Sequence, residues 1–186
     1  MSGLRRLGGI VRGFPGHPTH PPLTDATIGA WTLGTVLVLL SWLGAWEVET
    51  VRGGFLAILF GLVLAAPTIV TGFGDYLDIP RGVPRWRTAS AHWLVMVTTT
   101  SVFLVAAAVL QDDFDSGQAG AAGALTALAA ELLLLLGGWL GGTIVFVHGE
   151  RVLGRVDEPA ARAVVPQALE REPVPEPDAP EARRAD

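Results

Sequence analysis

Residues 53–73 read GGFLAILFGLVLAAPTIVTGF, a run of apolar and small residues without a charged side chain. An α-helix needs about 20 residues to cross a hydrocarbon core of about 30 Å, so the run is long enough for one crossing. A core helix of a soluble protein would also show a polar face, and this run shows none. It therefore predicts a membrane-spanning helix.

Three further runs have the same character and are nearly free of charge: Ala26–Trp46, Ala89–Leu110 and Ala121–Val147. The sequence therefore predicts an all-α fold, an integral membrane four-helix bundle over residues 26–151. Residues 1–25 are expected to form a proline-rich N-terminal segment. Residues 152–186 are predicted to be a disordered tail, because their prolines and acids leave little apolar surface to bury. A signal peptide is disfavoured, since the first apolar run begins late and is too long.

Arginine placement predicts the orientation of the helices. Arginines precede the first span, separate the second span from the third, and follow the fourth: Arg5, Arg6, Arg12, Arg81, Arg85, Arg87, Arg151 and Arg155. The connection around Asp112–Asp115 is acidic instead. Positively charged loops stay in the cytoplasm, so both termini are expected there. The absence of lysine and the abundance of Ala, Gly and Pro are typical of a bacterium, which predicts a multi-pass protein of the inner membrane.

Several classes of function are excluded by composition. The chain has no cysteine, so thiolate metal sites, iron–sulfur clusters and disulfides cannot form. Phosphate-binding loops, hydrolase triads and nucleic-acid signatures are also absent. Any metal would have to be bound by His, Asp, Glu or Tyr.

The four histidines are predicted to lie at one level of the membrane. His17 and His20 precede the first span, in a segment that its prolines are expected to keep out of a helix. His92 follows Arg87 by about 7 Å of helical rise, and His148 precedes Arg151 by about 4.5 Å. All four therefore belong to the cytoplasmic edge, where each one alone could simply hydrogen-bond to a backbone carbonyl or to water.

Helical phase predicts which side chains face the bundle interior. Four residues of the last span share a stripe of about 60° at 100° per residue: Gly137, Gly141, Ile144 and His148. Glycines allow close approach of a neighbouring helix, so this stripe is expected to face inward and to carry His148 with it. A second stripe, in the second span, comprises Thr68, Thr71, Gly72 and Asp75. Asp75 is thus a candidate fifth member of the histidine group.

Five short motifs occur together in this chain: GHPTHP at 16–21, GFGDY at 72–76, IPRG at 79–82, AH at 91–92 and GWLGGTIVFVHG at 138–149. In this combination the chain resembles an uncharacterised bacterial membrane family, domain of unknown function 2231, whose members also occur fused to Rieske domains. The chain departs from the expected pattern at residues 24–27, where Phe-Pro is expected, and at Tyr76, where Trp is expected. The resemblance implies the four-helix fold and makes the histidines the residues of interest, but it implies no settled activity.

Clustered imidazoles on facing helices are a common way for bundles to bind haem b or a metal ion. The leading hypothesis is therefore a redox or metal-binding membrane subunit that takes part in electron transfer. With haem, His92 and His148 would be the axial pair. His17 and His20 would then close the cytoplasmic face or stabilise the propionates, together with Arg85 or Arg87. With an Fe, Zn or Cu ion, the ligands would be five: His17, His20, His92, His148 and Asp75.

Two alternatives stay open beside this hypothesis. The first is a non-catalytic scaffold or accessory subunit whose histidines make only structural hydrogen bonds. The second, a transporter or proton relay, ranks last because no ionisable side chain is expected at the bilayer middle. The expected partners are the lipid bilayer, a redox protein such as a Rieske-type ferredoxin, and further copies of this chain; whether the protein is an enzyme is left open.

A reporter fusion tests the predicted orientation. Alkaline phosphatase joined after Arg155 should be inactive and a fluorescent protein joined there should be bright, because both follow from a cytoplasmic C-terminus. The same two reporters placed after Asp115 should give the opposite pair of results. Phosphatase activity after Arg155 would contradict the topology.

Overall fold

The computed structural model describes residues 12–14, 16–154 and 159–164. Its architecture is a bundle of four long helices: α1 His20–Trp42, α2 Glu47–Leu77, α3 Pro84–Ser116 and α4 Ala121–Gly142. A π-helical turn, Thr143–Val147, continues α4 without a break. The smaller elements are a two-stranded antiparallel hairpin before α1, β1 Gly13–Phe14 with β2 His17–Pro18, and a short helix, α5 Ala160–Ala163.

Each long helix packs against the next one along the chain, and α4 closes the ring by packing against α1. All four, with the π turn included in the last, are long and apolar enough to cross a membrane. The predicted fold class is therefore confirmed over the part of the chain that the structure describes. One end of the bundle holds the start of α1, the end of α2, the start of α3 and the π turn. We call it the histidine end.

The N-terminal boundary of the bundle differs from the prediction. Helix α1 begins at His20 rather than at Ala26, and Pro21 and Pro22 occupy its first turn. The first N–H groups of a helix have no partner within it, so prolines are tolerated there. The expectation that prolines exclude the whole segment 16–22 from a helix is wrong for its last three residues.

Two other expectations from the sequence are corrected. The acidic stretch Asp112–Asp115 belongs to the last turns of α3 and is not a loop. An ionisable residue does occur deep in a span, because Glu131 lies in the middle of α4. The predicted tail, 152–186, is described only at residues 152–154 and 159–164, and the latter include α5; residues 155–158 and 165–186 lie outside the described residues.

Helices α1 and α2 touch at glycine. A Cβ added to Gly34 would lie 3.0 Å from the carbonyl oxygen of Gly54, and one added to Gly54 would lie 2.9 Å from the carbonyl oxygen of Gly34. Both distances are at the lower limit of real Cβ contacts or below it, so the two backbones approach this closely because both residues lack a side chain. Small residues at helix crossings are typical of membrane bundles, where close packing replaces the hydrophobic effect.

An aromatic pair fills the interior next to this contact. Trp31 is fully buried and stacks on Phe103 of α3, with ring centroids 4.4 Å apart. Its indole N–H donates to the carbonyl oxygen of Ile58 at 3.3 Å. Large apolar side chains such as Leu56, Val63 and Leu136 are instead exposed on the outside of the bundle. This distribution suits a protein whose outer surface faces lipid.

Gly34→Ala should destabilise the bundle, because the new methyl group would push α1 away from α2. Overpacking typically costs about 1–3 kcal/mol, which we expect as a lower free energy of unfolding in detergent. The matched control is Gly29→Ala, also in α1, where an added Cβ meets nothing within 4 Å. Equal stability of the two variants would contradict the close helix contact.

Candidate functional site

A cavity of about 530 Å³ opens at the histidine end and is enclosed by all four long helices. Most of its wall is apolar. Eight ionisable residues line it: His17, His20, Asp75, Tyr76, His92, Glu150, Arg151 and Arg162. The floor of the cavity reaches Trp31 and Thr100 in the bundle interior. The combination of a large apolar pocket with a few convergent polar groups is typical of a ligand site.

The ring of His20 is held between α1 and α2. Its Nδ1 lies 3.0 Å from the carbonyl oxygen of Thr68. The ring also rests on Gly72, where an added Cβ would come 2.6 Å from His20 Cε1. The hydroxyl of Thr24 lies 3.4 Å from Nε2 of His20. This hydroxyl donates its hydrogen to the carbonyl oxygen of His20 at 2.9 Å, so it is not a donor to Nε2.

The ring of His92 is held in the same manner between α3 and α4. Its Nδ1 lies 2.8 Å from the carbonyl oxygen of Gly137. The ring rests on Gly141, where an added Cβ would come 3.1 Å from His92 Cε1. Its Nε2 has no hydrogen-bond partner among the described residues. Gly137 itself packs against Met96 and Val95, so the glycine stripe of α4 faces inward, as predicted.

These hydrogen bonds indicate which nitrogen of each ring carries a proton. A carbonyl oxygen can only accept, so Nδ1 of His20 and Nδ1 of His92 are protonated. In the neutral form of each ring, Nε2 then carries the lone pair. A histidine that ligates a metal usually donates its other N–H to a carbonyl or carboxylate in this way. His20 and His92 line the same cavity from two different helix pairs.

His148 does not reach the cavity. Its Nε2 lies 3.0 Å from the Thr88 hydroxyl, and it is not among the residues that line the cavity. The prediction assumed 100° per residue, but the backbone turns by a smaller angle through the π-helical turn Thr143–Val147. His148 N–H accordingly donates to the carbonyl oxygen of Thr143, five residues earlier. The inward stripe includes Ile144 but loses His148, so His92 shares the cavity with His20 instead.

His17 lines the cavity from the hairpin strand β2 and has an exposed side chain. The predicted five-ligand metal site is not assembled. Among the described residues, no group of three or more His, Asp or Glu side chains could hold a metal ion. Asp75 lines the cavity as predicted, but its neighbours are arginines.

Asp75 is the centre of an ion-pair network at the mouth of the cavity. Its Oδ1 accepts from Arg12 Nε at 3.1 Å and from Arg151 Nη1 at 3.0 Å. Arg151 Nη2 also donates to the carbonyl oxygen of Arg12 at 2.9 Å. The network therefore ties the segment before α1 and the segment after α4 to the end of α2, and it closes the bundle at this level.

Arg12 also pairs with Asp78, on the outer side of the network. The hydrogen bond to Asp78, together with that to Asp75, raises the pKa of the Arg12 guanidinium, although partial burial opposes the change. The arginine therefore stays charged at any physiological pH.

The arginines proposed for cofactor carboxylates lie elsewhere. Arg85 is exposed and approaches Glu150 at 3.6 Å, and Arg87 is exposed as well. Neither lines the cavity. Arg151 does, although the sequence suggested for it only a role in topology. Its position three residues after His148 was the available signal, but the turn that brings it back over Asp75 cannot be predicted from helical phase.

Fold and site together define an integral membrane four-helix bundle with an internal cavity lined by histidines. The chain belongs to the family described as "Predicted membrane protein (DUF2231)", whose model matches residues 16–154. The resemblance seen in the motifs is thereby confirmed. No curated protein and no solved structure matches the chain.

Asp75→Asn should loosen the mouth of the cavity, because it removes the negative charge shared by Arg12 and Arg151. Hydrogen bonds to charged groups contribute about 1.5–3 kcal/mol, and we expect a loss of this order in the free energy of unfolding. The control is Asp78→Asn, since Asp78 is 63% exposed against 15% for Asp75 and solvent weakens its pairing. A larger effect at Asp78 would contradict the central role of Asp75.

Proposed function

We propose that this membrane protein binds haem b in the cavity at the histidine end, with His20 and His92 as axial ligands, and that it takes part in electron transfer. The single observation that carries the proposal is that His20 and His92 make the same hydrogen bond and leave the same ring nitrogen available. Both imidazoles donate Nδ1–H to a backbone carbonyl, and both have Nε2 available in one apolar cavity. This is the tautomer and the setting that axial ligation requires.

The number of available ligands favours haem over a bare metal ion. A porphyrin brings four nitrogen ligands of its own, so the protein has to supply only two. A bare Zn, Fe or Cu ion needs at least three or four protein ligands, and the described residues provide no such group. The Fe, Zn or Cu version of the hypothesis is therefore the weaker one.

The rest of the cavity suits an amphipathic ligand. Apolar residues such as Ile69, Met96 and Ile144 line it on different helices. Arg151 lies at the mouth, where a guanidinium pairs well with a ligand carboxylate. In this role it takes the place of Arg85 and Arg87. When bound, haem would supply a one-electron redox centre; the protein's part is to orient the two imidazoles and to exclude water.

Electron transfer needs a partner, and a soluble iron–sulfur protein such as a Rieske-type ferredoxin stays the predicted one. The end of the bundle that carries the cavity is the predicted cytoplasmic side. A bacterial inner membrane location and assembly with further copies of this chain also stay predictions.

The alternative function is a scaffold without a cofactor. The same hydrogen bonds support it. Each ring donates to a backbone carbonyl oxygen of the neighbouring helix and packs on a glycine of that helix, which is a structural role that needs no ligand. In that case the histidines join α1 to α2 and α3 to α4, and the cavity has no ligand of its own.

An absorption spectrum of the protein purified in detergent separates the two functions. We expect a Soret band, either as purified or after addition of haemin, that is lost in His20→Ala and in His92→Ala. His148→Ala is the matched control, since this histidine lies at the same end of the bundle but outside the cavity wall, and its band should be unchanged. Metal analysis of the same samples reports any bound Fe, Zn or Cu.

Loss of the band through misfolding is distinguished by rescue. Free imidazole should restore the band in His92→Gly, because it fills the space of the missing side chain and supplies the same ligand. Absence of a Soret band in the folded wild-type protein with haemin in excess would overturn the haem proposal and leave the scaffold function. Loss of the band in His148→Ala but not in His20→Ala would overturn the ligand pair.

A further inference from the structure

A second polar site lies deeper in the bundle, away from the cavity wall. Glu131 of α4 accepts a hydrogen bond at Oε1 from the hydroxyl of Thr32 of α1, over 3.0 Å. Neither residue lines the cavity. The pair therefore has no part in the function proposed above and needs its own explanation.

Both residues lie near the middle of the membrane. Glu131 follows the start of α4 at Ala121 by about 15 Å of helical rise, and Thr32 follows the start of α1 at His20 by about 18 Å. The hydrocarbon core is about 30 Å thick. An ionisable side chain at this depth is costly and marks a functional site by default.

Two buried polar atoms in this part of the bundle lack partners among the described residues. Oε2 of Glu131 is buried and makes no hydrogen bond with the described residues, and the same is true of the hydroxyl of Thr35. Thr35 is only 1% exposed and follows Thr32 by three residues, so both threonines belong to one stripe of α1. Other threonines in the spans donate to the carbonyl one turn earlier, as Thr99 does to Val95. Thr35 does not, and its hydroxyl is left for another polar group on this stripe.

The surroundings disfavour a negative charge on Glu131. Helix α4 packs against α1 and α3, whose ionisable residues all lie toward the helix ends: His20 and Asp25 in α1, and Arg85, Arg87, His92, Asp112, Asp113 and Asp115 in α3. No cation faces Glu131 from the middle turns of either helix. A carboxylate can only accept hydrogen bonds, whereas a protonated carboxyl group also donates one, which a hydroxyl oxygen can accept.

The site also has a route to water. The floor of the cavity includes Trp31, the residue before Thr32, and Thr100 of α3. The cavity therefore descends from the histidine end toward the level of Thr32, and water can approach the Glu131–Thr32 pair from this side.

We propose that Glu131 is a proton-binding site within the membrane, which carries its proton on Oε2 in the folded protein at neutral pH and exchanges it with water. Thr32 donates to Oε1 and holds the carboxyl group in place, and Thr35 supplies a second hydroxyl on the same stripe. The site is separate from the histidine cavity in its residues, and it does not depend on a bound haem.

Infrared spectroscopy of the purified full-length protein in liposomes at neutral pH tests the proposal. We expect a C=O stretching band of a protonated carboxyl group that disappears in Glu131→Gln. The band should shift downward in heavy water, because the proton exchanges. The matched control is Asp113→Asn, since Asp113 is another acid with a buried, unpaired carboxylate oxygen, and its loss should leave the band intact.

The variant Thr32→Val tests whether the C=O band belongs to Glu131 while the acid itself is kept. It therefore also tests the proposal if Glu131→Gln does not fold. Loss of the hydrogen bond to Oε1 should shift the band to higher frequency. Absence of the band in the wild-type protein, its persistence in Glu131→Gln, or an unchanged frequency in heavy water would each overturn the proposal. Disappearance of the band on adding sodium chloride would overturn it as well, because the site would then bind a sodium ion in place of a proton.

Discussion

Close packing at glycines between paired helices is the feature on which the rest of this bundle depends. Gly34 and Gly54 bring the backbones of α1 and α2 into contact, and Gly137 and Gly141 of α4 let Met96 and His92 of α3 pack against the α4 backbone. Lipid offers no hydrophobic drive for helices to associate, so packing and interhelical hydrogen bonds have to hold them. At the histidine end the missing side chains of Gly72 and Gly141 leave room for the rings of His20 and His92.

The same contacts explain how two imidazoles come to face one cavity. A glycine under each ring lets it approach the neighbouring helix, and a backbone carbonyl on that helix then receives its Nδ1–H. Two independent helix pairs thus present rings in the same tautomer. The Arg12–Asp75–Arg151 network closes the bundle above them by joining segments that are far apart in sequence. Orientation of the rings and closure of the mouth are therefore separate features, with separate residues.

The middle of the bundle contains polar side chains for which lipid offers no partner. A charged side chain at the bilayer centre costs about 2.5–3.5 kcal/mol on insertion scales, which is a considerable part of the stability of a small domain. A protonated Glu131 avoids this cost, and the hydroxyl of Thr32 on the facing helix satisfies its Oε1. An acid at this depth adds nothing to an apolar span that only crosses the membrane, which is why it indicates a function.

The sequence by itself determined the four spans, the level of the histidines and the inward stripes at Gly137 and Thr68, because apolar length and helical phase are local properties. It also contained Glu131, an acid within the apolar run 121–147, which is overlooked when a span is judged by its overall composition. Only the tertiary structure decided which histidines share a cavity. A π-helical turn alters the phase before His148, and prolines in the first turn of α1 carry His20 into the helix, where it meets α2. The pairing of Arg151 with Asp75 likewise follows from a chain reversal after α4, and such long-range contacts leave no periodic trace in the sequence.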